Sequence, residues 1–242
     1  MLPSHKGMDA LGLTAISHEE GVGRVLVATQ DIAPGQCVLE DQCVVATPDG
    51  FPSCLGCLSQ VQAGQHCQSC KWPSCGSSSC SHQASNAAEC HLYQEQGVAP
   101  TVQNTSQPHS MYALVAVVRL LLLKQADPQQ YKVVEDLMDH WEERSEDLAV
   151  RQMVKYMAAF CRKKFGLTWV TDQDVQHAFG VLKTNGVGHT SPDGSKVCFL
   201  YPQVSLLSHS CAANLEIVDR PAETVKFVAK RPIKMGEELT WR

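Results

Sequence analysis

Apolar and polar positions follow different rhythms along the chain and mark out its elements. Between Thr14 and Pro48 the apolar residues form short β-prone runs: Val25-Leu26-Val27-Ala28, the turn Ala33-Pro34-Gly35, then Cys37-Val38-Leu39. Runs of this kind bounded by Gly and Pro predict strands. From Pro48-Asp49-Gly50 to Gly97 apolar residues are sparse, and Gly97 to Ser110, with its prolines, Thr, Gln and Asn, predicts a linker. Helices are predicted next. Ala113 to Leu123 is apolar but contains Arg119 and is too short to span a bilayer, so it predicts a buried core helix. In Tyr131 to Glu146, Val133, Val134, Leu137, Met138 and Trp141 recur at helical spacing; Leu148 to Lys164 repeats this with Val150, Met153, Val154, Met157 and Phe160. These residues are expected to face the core. Asp127-Pro128 and Gly166 are boundary residues, and Thr171-Asp172-Gln173-Asp174 caps a further helix toward Leu182. From Lys183 strands and turns return, at Val197 to Tyr201 and Thr224 to Lys230.

An internal echo joins the two ends. Val27-Ala28-Thr29-Gln30-Asp31-Ile32-Ala33-Pro34-Gly35 is matched by Val228-Ala229-Lys230-Arg231-Pro232-Ile233-Lys234-Met235-Gly236. Each predicts a strand, an Ile anchoring a tight turn, and a Gly free to take positive φ. Gly21-Val22-Gly23-Arg24 precedes the first copy and by itself reads as a plain turn.

The 242 residues suffice for one or two domains with a real core. A net charge of -5 argues against a broad nucleic-acid face, and Lys71 is the one basic side chain besides histidine between Cys54 and Cys90. Met1 to Thr14 lacks an apolar core of signal-peptide length, so secretion is not expected. Seven of the 12 cysteines fall between Cys54 and Cys90. An odd number without an export signal favours metal ligation over disulfides. Cys54-x2-Cys57 and Cys67-x2-Cys70, followed by Cys75, Cys80 and Cys90, form two knuckles of the kind that present thiolate pairs to zinc. A Ser-, Gly- and Gln-rich segment has little else to fold around, so metal must supply much of its folding free energy.

Two C-terminal runs carry a family resemblance: Leu200-Tyr201-Pro202 leading into Leu206-Leu207-Ser208-His209-Ser210-Cys211-Ala212-Ala213-Asn214, and Gly236-Glu237-Glu238-Leu239-Thr240. They resemble the SET domain of the SET and MYND domain (SMYD) family, S-adenosylmethionine-dependent lysine methyltransferases. The resemblance implies an α+β fold: a split β-rich SET domain over 14–48 and 181–242, a MYND-type zinc finger over 49–97, and a linker with helical insertion over 98–180. It implies S-adenosylmethionine binding by the turn Gly23, Arg24 and Val25, by Asn185 in Lys183-Thr184-Asn185, and by Ser208 and His209. Val25 stands where the family has a second glycine and Ala213 where it has a proline; Ser208 stands for an asparagine and loses its amide side chain, so cofactor binding weaker than the family's is expected. On its own Asn185 is equally a turn residue beside Gly186, and His209 a satisfied polar residue.

For the finger, the resemblance implies interleaved zinc sites, Cys54, Cys57, Cys75 and Cys80 holding one ion and Cys67, Cys70 and Cys90 the other. Asn86 stands where the family has a histidine, which leaves His82, His91 or no residue as the eighth ligand. Cys211 either packs as a small apolar group or corresponds to a ligand whose family partners follow the SET domain.

Methyl transfer to a lysine amine is an in-line displacement that requires alignment and a dry channel favouring the neutral amine. By alignment to Gly-Glu-Glu-Leu-Thr-x-x-Tyr, the family's catalytic tyrosine would follow Arg242. The expectation is a protein-lysine methyltransferase of the SET and MYND type in a truncated, inactive form. The alternative is a zinc-dependent interaction module or pseudoenzyme scaffold docking proline-rich partners. Further expectations are a lysine-containing protein substrate, no nucleic acid or membrane partner, a monomer, and residence in nucleus or cytoplasm.

Overall fold

A computed structural model describes residues 11–77, 80, 87–218 and 223–242. It divides into two compact units, 45–199 and 11–44 with 200–242.

The unit formed by the two ends of the chain is built from strands. β1 (Thr14–Glu19) and β2 (Gly23–Ala28) form a hairpin, Thr14 opposite Ala28 and Glu19 opposite Gly23. β3 (Cys37–Gln42) pairs antiparallel with the late strand Thr224–Ala229, whose other edge takes Leu215–Ile217. Val25, Leu26, Val38, Leu39, Val225, Phe227 and Leu239 form its core. The sequence echo proves to be structural, because its two copies pair with each other. Gly35 N donates to Ala229 O at 2.7 Å and Gly236 N to Ala28 O at 2.8 Å; Ala28 N donates to Glu237 O at 2.9 Å and Ala229 N to Gln36 O at 3.0 Å. Even the side chains correspond, with Ala33 N donating to Gln36 Oε1 at 3.1 Å and Lys234 N to Glu237 Oε2 at 3.0 Å. Gly35 and Gly236 sit at φ +78° and +80°, the left-handed region that a side chain would strain.

In the other unit β4 (Val45–Pro48) shares a sheet, in the order β4-β6-β5, with β5 (Gly186–Thr190) and β6 (Lys196–Leu200). Of the helices α1 (Ala87–Gln96), α2 (Ser110–Ala126), α3 (Pro128–Glu135), α4 (Trp141–Arg144), α5 (Leu148–Lys164) and α6 (Asp172–Asn185), α2 packs on β4 and α6 on β5, with α1 and α3 against α2 and α4 and α5 against α6. The apolar run lies in α2, where Tyr112, Leu114, Val115, Val117, Val118, Leu120 and Leu121 are buried as expected. Among the described residues no helix is long and apolar enough to cross a membrane. α5 has the predicted bounds, and α6 carries a full capping box between Thr171 and Asp174.

The single helix expected over Tyr131 to Glu146 is instead two. α3 stops at Glu135, where the adjacent acids Glu135 and Asp136 oppose the negative end of the helix dipole. Asp139 then caps Trp141 N at 2.9 Å, and His140 turns into the left-handed region at φ 50°. α6 holds the break: the His177 ring lies 2.8 Å from Asp139 Oδ2 and 3.1 Å from Val134 O, and a Cβ on Gly180 would stand 2.5 Å from Asp139 O. Met138, left outside a helix, is 59% exposed, and Met153 on α5 is 39% exposed, so neither takes the core position expected of it.

Candidate functional site

The cysteine-rich segment builds the same turn twice. Cys54 N donates to Ser59 O and Leu58 N to Cys54 O, both at 2.8 Å; in the second knuckle Cys67 N donates to Trp72 O at 2.8 Å and Lys71 N to Cys67 O at 3.1 Å. Leu58 and Lys71, each just after the second cysteine, take left-handed φ of 61° and 62°. The turns gather the thiols in the interleaved way expected. The sulfurs of Cys54, Cys57, Cys75 and Cys80 all lie within 4.8 Å of one another, and so do those of Cys67, Cys70 and Cys90. The cysteines are free thiols, with no disulfide among the described residues. Burial alone would push the Cys54 thiol up, but the amides of Cys57, Cys75 and Gly56 directed at its sulfur outweigh it and bring it down to about 7. Cys70 moves the other way, raised first by burial and then by its neighbours Cys67 and Cys90. The four thiols of the first cluster are a full donor set for tetrahedral zinc, and the three of the second supply three of its four positions. Both clusters can hold zinc.

His82 lies outside the described residues. His91 is exposed, its Nδ1 3.4 Å from Glu95 Oε2, and it does not join the second cluster. Beside the first cluster, where Cys57 is exposed, is a hollow of about 520 Å³ lined by Ser59, Gln60, Gln62, Asp193 and the thiols of Cys57, Cys75 and Cys80.

The second candidate site lies in the strand unit. β2 carries Gly23, at φ +101°, with Arg24 and Val25. Leu26 O, one residue on, accepts from Leu239 N at 2.8 Å. The strand that continues from Leu239, Thr240–Trp241, pairs in parallel with Ser208–His209, Thr240 opposite Ser208 and Trp241 opposite His209. Ser210 N closes the ladder onto Trp241 O at 2.9 Å. Leu26 to Ala28 of β2 and the Ser208-His209 pair thus border successive parts of one segment, Gly236 to Trp241. Val25 is buried, Ser208 half-buried and His209 exposed, its Nε2 3.9 Å from the exposed Cys211 Sγ.

Two polar residues fix this junction. The Ser208 hydroxyl donates to Glu238 Oε1. Asn214, 1% exposed, donates through Nδ2 to Glu238 O at 2.7 Å and Glu237 Oε1 at 3.1 Å, while its Oδ1 accepts from Thr240 N at 2.8 Å. Arg231, bonded to Glu237, holds that carboxyl at about 2. In the sequence Asn214 stands at the end of the Leu206 to Asn214 run with little to mark it as a clamp. The available signal was an amide closing an apolar-flanked run, a position where burial demands both its donors and its acceptor be met.

Asn185 belongs to the other unit. It is the last residue of α6, and its amide donates to Met138 O at 2.8 Å and to Val181 O at 3.1 Å. The side chain thereby does a structural task, holding the Met138 segment to the helix end.

A family model of the SET domain matches residues 23–242. The chain belongs to the SET-domain family. It is 26% identical over 237 residues to the SET domain-containing protein SmydA-8, isoform A, of Drosophila melanogaster, an alignment covering 93% of this chain and 49% of that one. Among solved structures it is similar to the SET domain of LSMT bound to lysine and AdoHcy, at 13% identity and TM-score 0.50, and to Rubisco LSMT bound to sinefungin and monomethyllysine, at 14% and 0.51. Each of these alignments covers 97% of this chain, with 50% and 49% of the respective structures. At such identities they show the fold. The chain spans about half the length of the relatives it matches. The expected α+β SET architecture is therefore met, with two thiol clusters of the kind a MYND finger uses for zinc.

Proposed function

We propose that this SET-family chain binds S-adenosylmethionine through Gly23, Arg24, Val25, Ser208 and His209, and that it is built for N-methylation of protein lysine. The single observation that supports the reading most is the hydrogen-bond ladder from Leu26 through Leu239 and Trp241 to Ser210, in which β2, the strand that carries Gly23 to Val25, and Ser208-His209 border one segment. The cofactor supplies an activated methyl group. The chain's own residues supply what an in-line transfer requires, fixed backbone polar groups around the donor and exclusion of water from the reacting amine. Relatives of the same fold with S-adenosyl ligands and lysine bound support this choice of cofactor and substrate class.

The test is calorimetric titration of the zinc-loaded 242-residue chain with S-adenosylhomocysteine. Saturable one-to-one binding, weakened at least tenfold by Arg24→Ala or His209→Ala, is expected. A folded, zinc-loaded chain that binds neither this ligand nor S-adenosylmethionine contradicts the reading.

A second reading has its own observation. The hollow beside the exposed Cys57 presents Gln60, Gln62 and Asp193, hydrogen-bonding groups next to a rigid thiol centre, which suits an extended peptide. A proline-rich peptide that binds the zinc-loaded chain and is displaced by Gln62→Ala supports that interaction role; binding unaffected by the substitution counts against it.

A further inference from the structure

Arg119 is a cation where the helix pattern calls for an apolar residue. On α2, in the middle of the buried run, its side chain is 10% exposed and faces Glu89, 3% exposed, at 2.9 Å. A desolvated pair of this kind is tolerated only with further hydrogen bonds, and each is present. Arg119 Nε lies 3.1 Å from Glu89 Oε2, one terminal nitrogen donates to Leu55 O at 2.6 Å, and the other donates to the Ala46 carbonyl of β4. Tyr93 OH completes the cluster by donating to Glu89 Oε1 at 3.0 Å.

The partners have a common feature. Leu55 lies inside the first knuckle, between Cys54 and Cys57; Glu89 immediately precedes Cys90, a thiol of the second cluster. One guanidinium therefore holds the backbone of one metal centre and the helix that presents a ligand to the other. Tyr93 reinforces the second connection, because its ring stacks on Trp72 at 4.7 Å, and Trp72 O accepts from Cys67 N at 2.8 Å. If either cluster opened, Leu55 or Glu89 would move away and leave a buried charge under-bonded, a cost that opposes opening.

We propose that Arg119 is a positioning residue that makes metal loading at the two thiol centres interdependent. Zinc in the first centre fixes Leu55, which completes the Arg119 environment; Arg119 then fixes Glu89 and with it Cys90 for the second ion. The coupling is reciprocal by linkage, each ion raising the other's affinity by the same factor. It is independent of whether the strand unit binds a methyl donor.

The experiment uses the full chain and cobalt(II), whose thiolate absorption reports loading. First-centre affinity is measured with the second centre intact and with it disabled by Cys67→Ser/Cys70→Ser, in the native and in the Arg119→Met background. In the native background, disabling the second centre is expected to weaken the first about tenfold, within the usual range for coupled sites. In Arg119→Met the same comparison is expected to give a ratio near one. A general loss of stability would lower both arms and leave the ratio intact, so the ratio separates positioning from bulk destabilisation. A native ratio near one, or an undiminished ratio in Arg119→Met, overturns the proposal. Arg119→Lys, which keeps the charge but cannot serve Leu55, Ala46 and Glu89 together, is expected to fold and to give a ratio still near one.

Discussion

Ile32 and Ile233 exchange backbone hydrogen bonds, Ile32 N to Ile233 O at 2.8 Å and Ile233 N to Ile32 O at 3.0 Å, across two buried side chains 2% and 1% exposed. Residues from opposite ends of the chain meet here as equivalents, and the turns that follow them are built alike. The strand unit is thus closed by a reciprocal contact of its two ends, and the segment leading from Gly236 to Trp241 owes its place between β2 and Ser208-His209 to that closure.

Equivalence makes a quantitative prediction. Gly35→Ala and Gly236→Ala each add a Cβ at a left-handed residue with nothing within 4 Å of it, so the cost is conformational strain alone. Each is expected to destabilise the unit by about 1–2 kcal/mol, and by the same amount within error. Urea unfolding of the two variants checks this; a large inequality would mean that the turns are not equivalent.

Asn214 is expected to hold the junction. Asn214→Leu removes partners from Glu238 O and Thr240 N, both in half-buried residues, and leaving such groups unmet costs on the order of 1–3 kcal/mol. Urea unfolding is expected to show that loss, and Thr240 amide exchange to accelerate. Preserved exchange protection at Thr240 would show that the clamp is dispensable.

Asp41 gives the strand unit a pH dependence. It is 1% exposed on β3 and accepts from Gln203 N at 2.7 Å and Val204 N at 3.0 Å; burial outweighs these bonds and pushes its carboxyl up to about 6. A raised carboxyl binds its proton more tightly in the folded state than in the unfolded. Its contribution is most favourable below the unfolded value near 3.8 and is lost as pH rises through about 6. A shift of this size corresponds to roughly 3 kcal/mol. Asp41→Asn is expected to flatten the stability profile between pH 4 and 6, read from urea midpoints. An unchanged slope would place the titration elsewhere.

Metal removal is expected to unfold the finger. Trp72 is fully buried against Tyr93 and Tyr112 directly behind the second knuckle, so it reports that centre. Chelation should red-shift tryptophan emission and abolish near-ultraviolet ellipticity from this cluster, with recovery on adding zinc. An unchanged spectrum in a chelated, metal-free chain would show that the thiol centres do not carry the fold of this segment.

Much of this architecture was legible in the sequence where the information was local. The Cys-x-x-Cys pairs announced metal knuckles, the 27–35 and 228–236 echo announced two turns of one kind, though not their pairing, and Thr171 with Asp174 announced a helix start. What was not legible depended on distant partners. The break at 136–140 is set by His177 and Gly180 on another helix, so a helical pattern read along one segment ran through it. Arg119 looked like a blemish in an apolar run because Glu89 and Leu55, which satisfy it, are remote in sequence. Asn214 reads as an ordinary polar residue until Glu238 and Thr240 are placed beside it. The motif that suggested a cofactor role for Asn185 carries no sign of the bonds its Nδ2 makes to Met138 O and Val181 O.

The central claim, that Gly23–Val25 and Ser208-His209 form one pocket for a methyl donor, is tested most directly by amide chemical shifts of the zinc-loaded chain on addition of S-adenosylhomocysteine. The account predicts saturable shifts concentrated at residues 23–25 and 208–210, with the finger unmoved. Saturable shifts confined to other residues, or none at any ligand concentration, would contradict it.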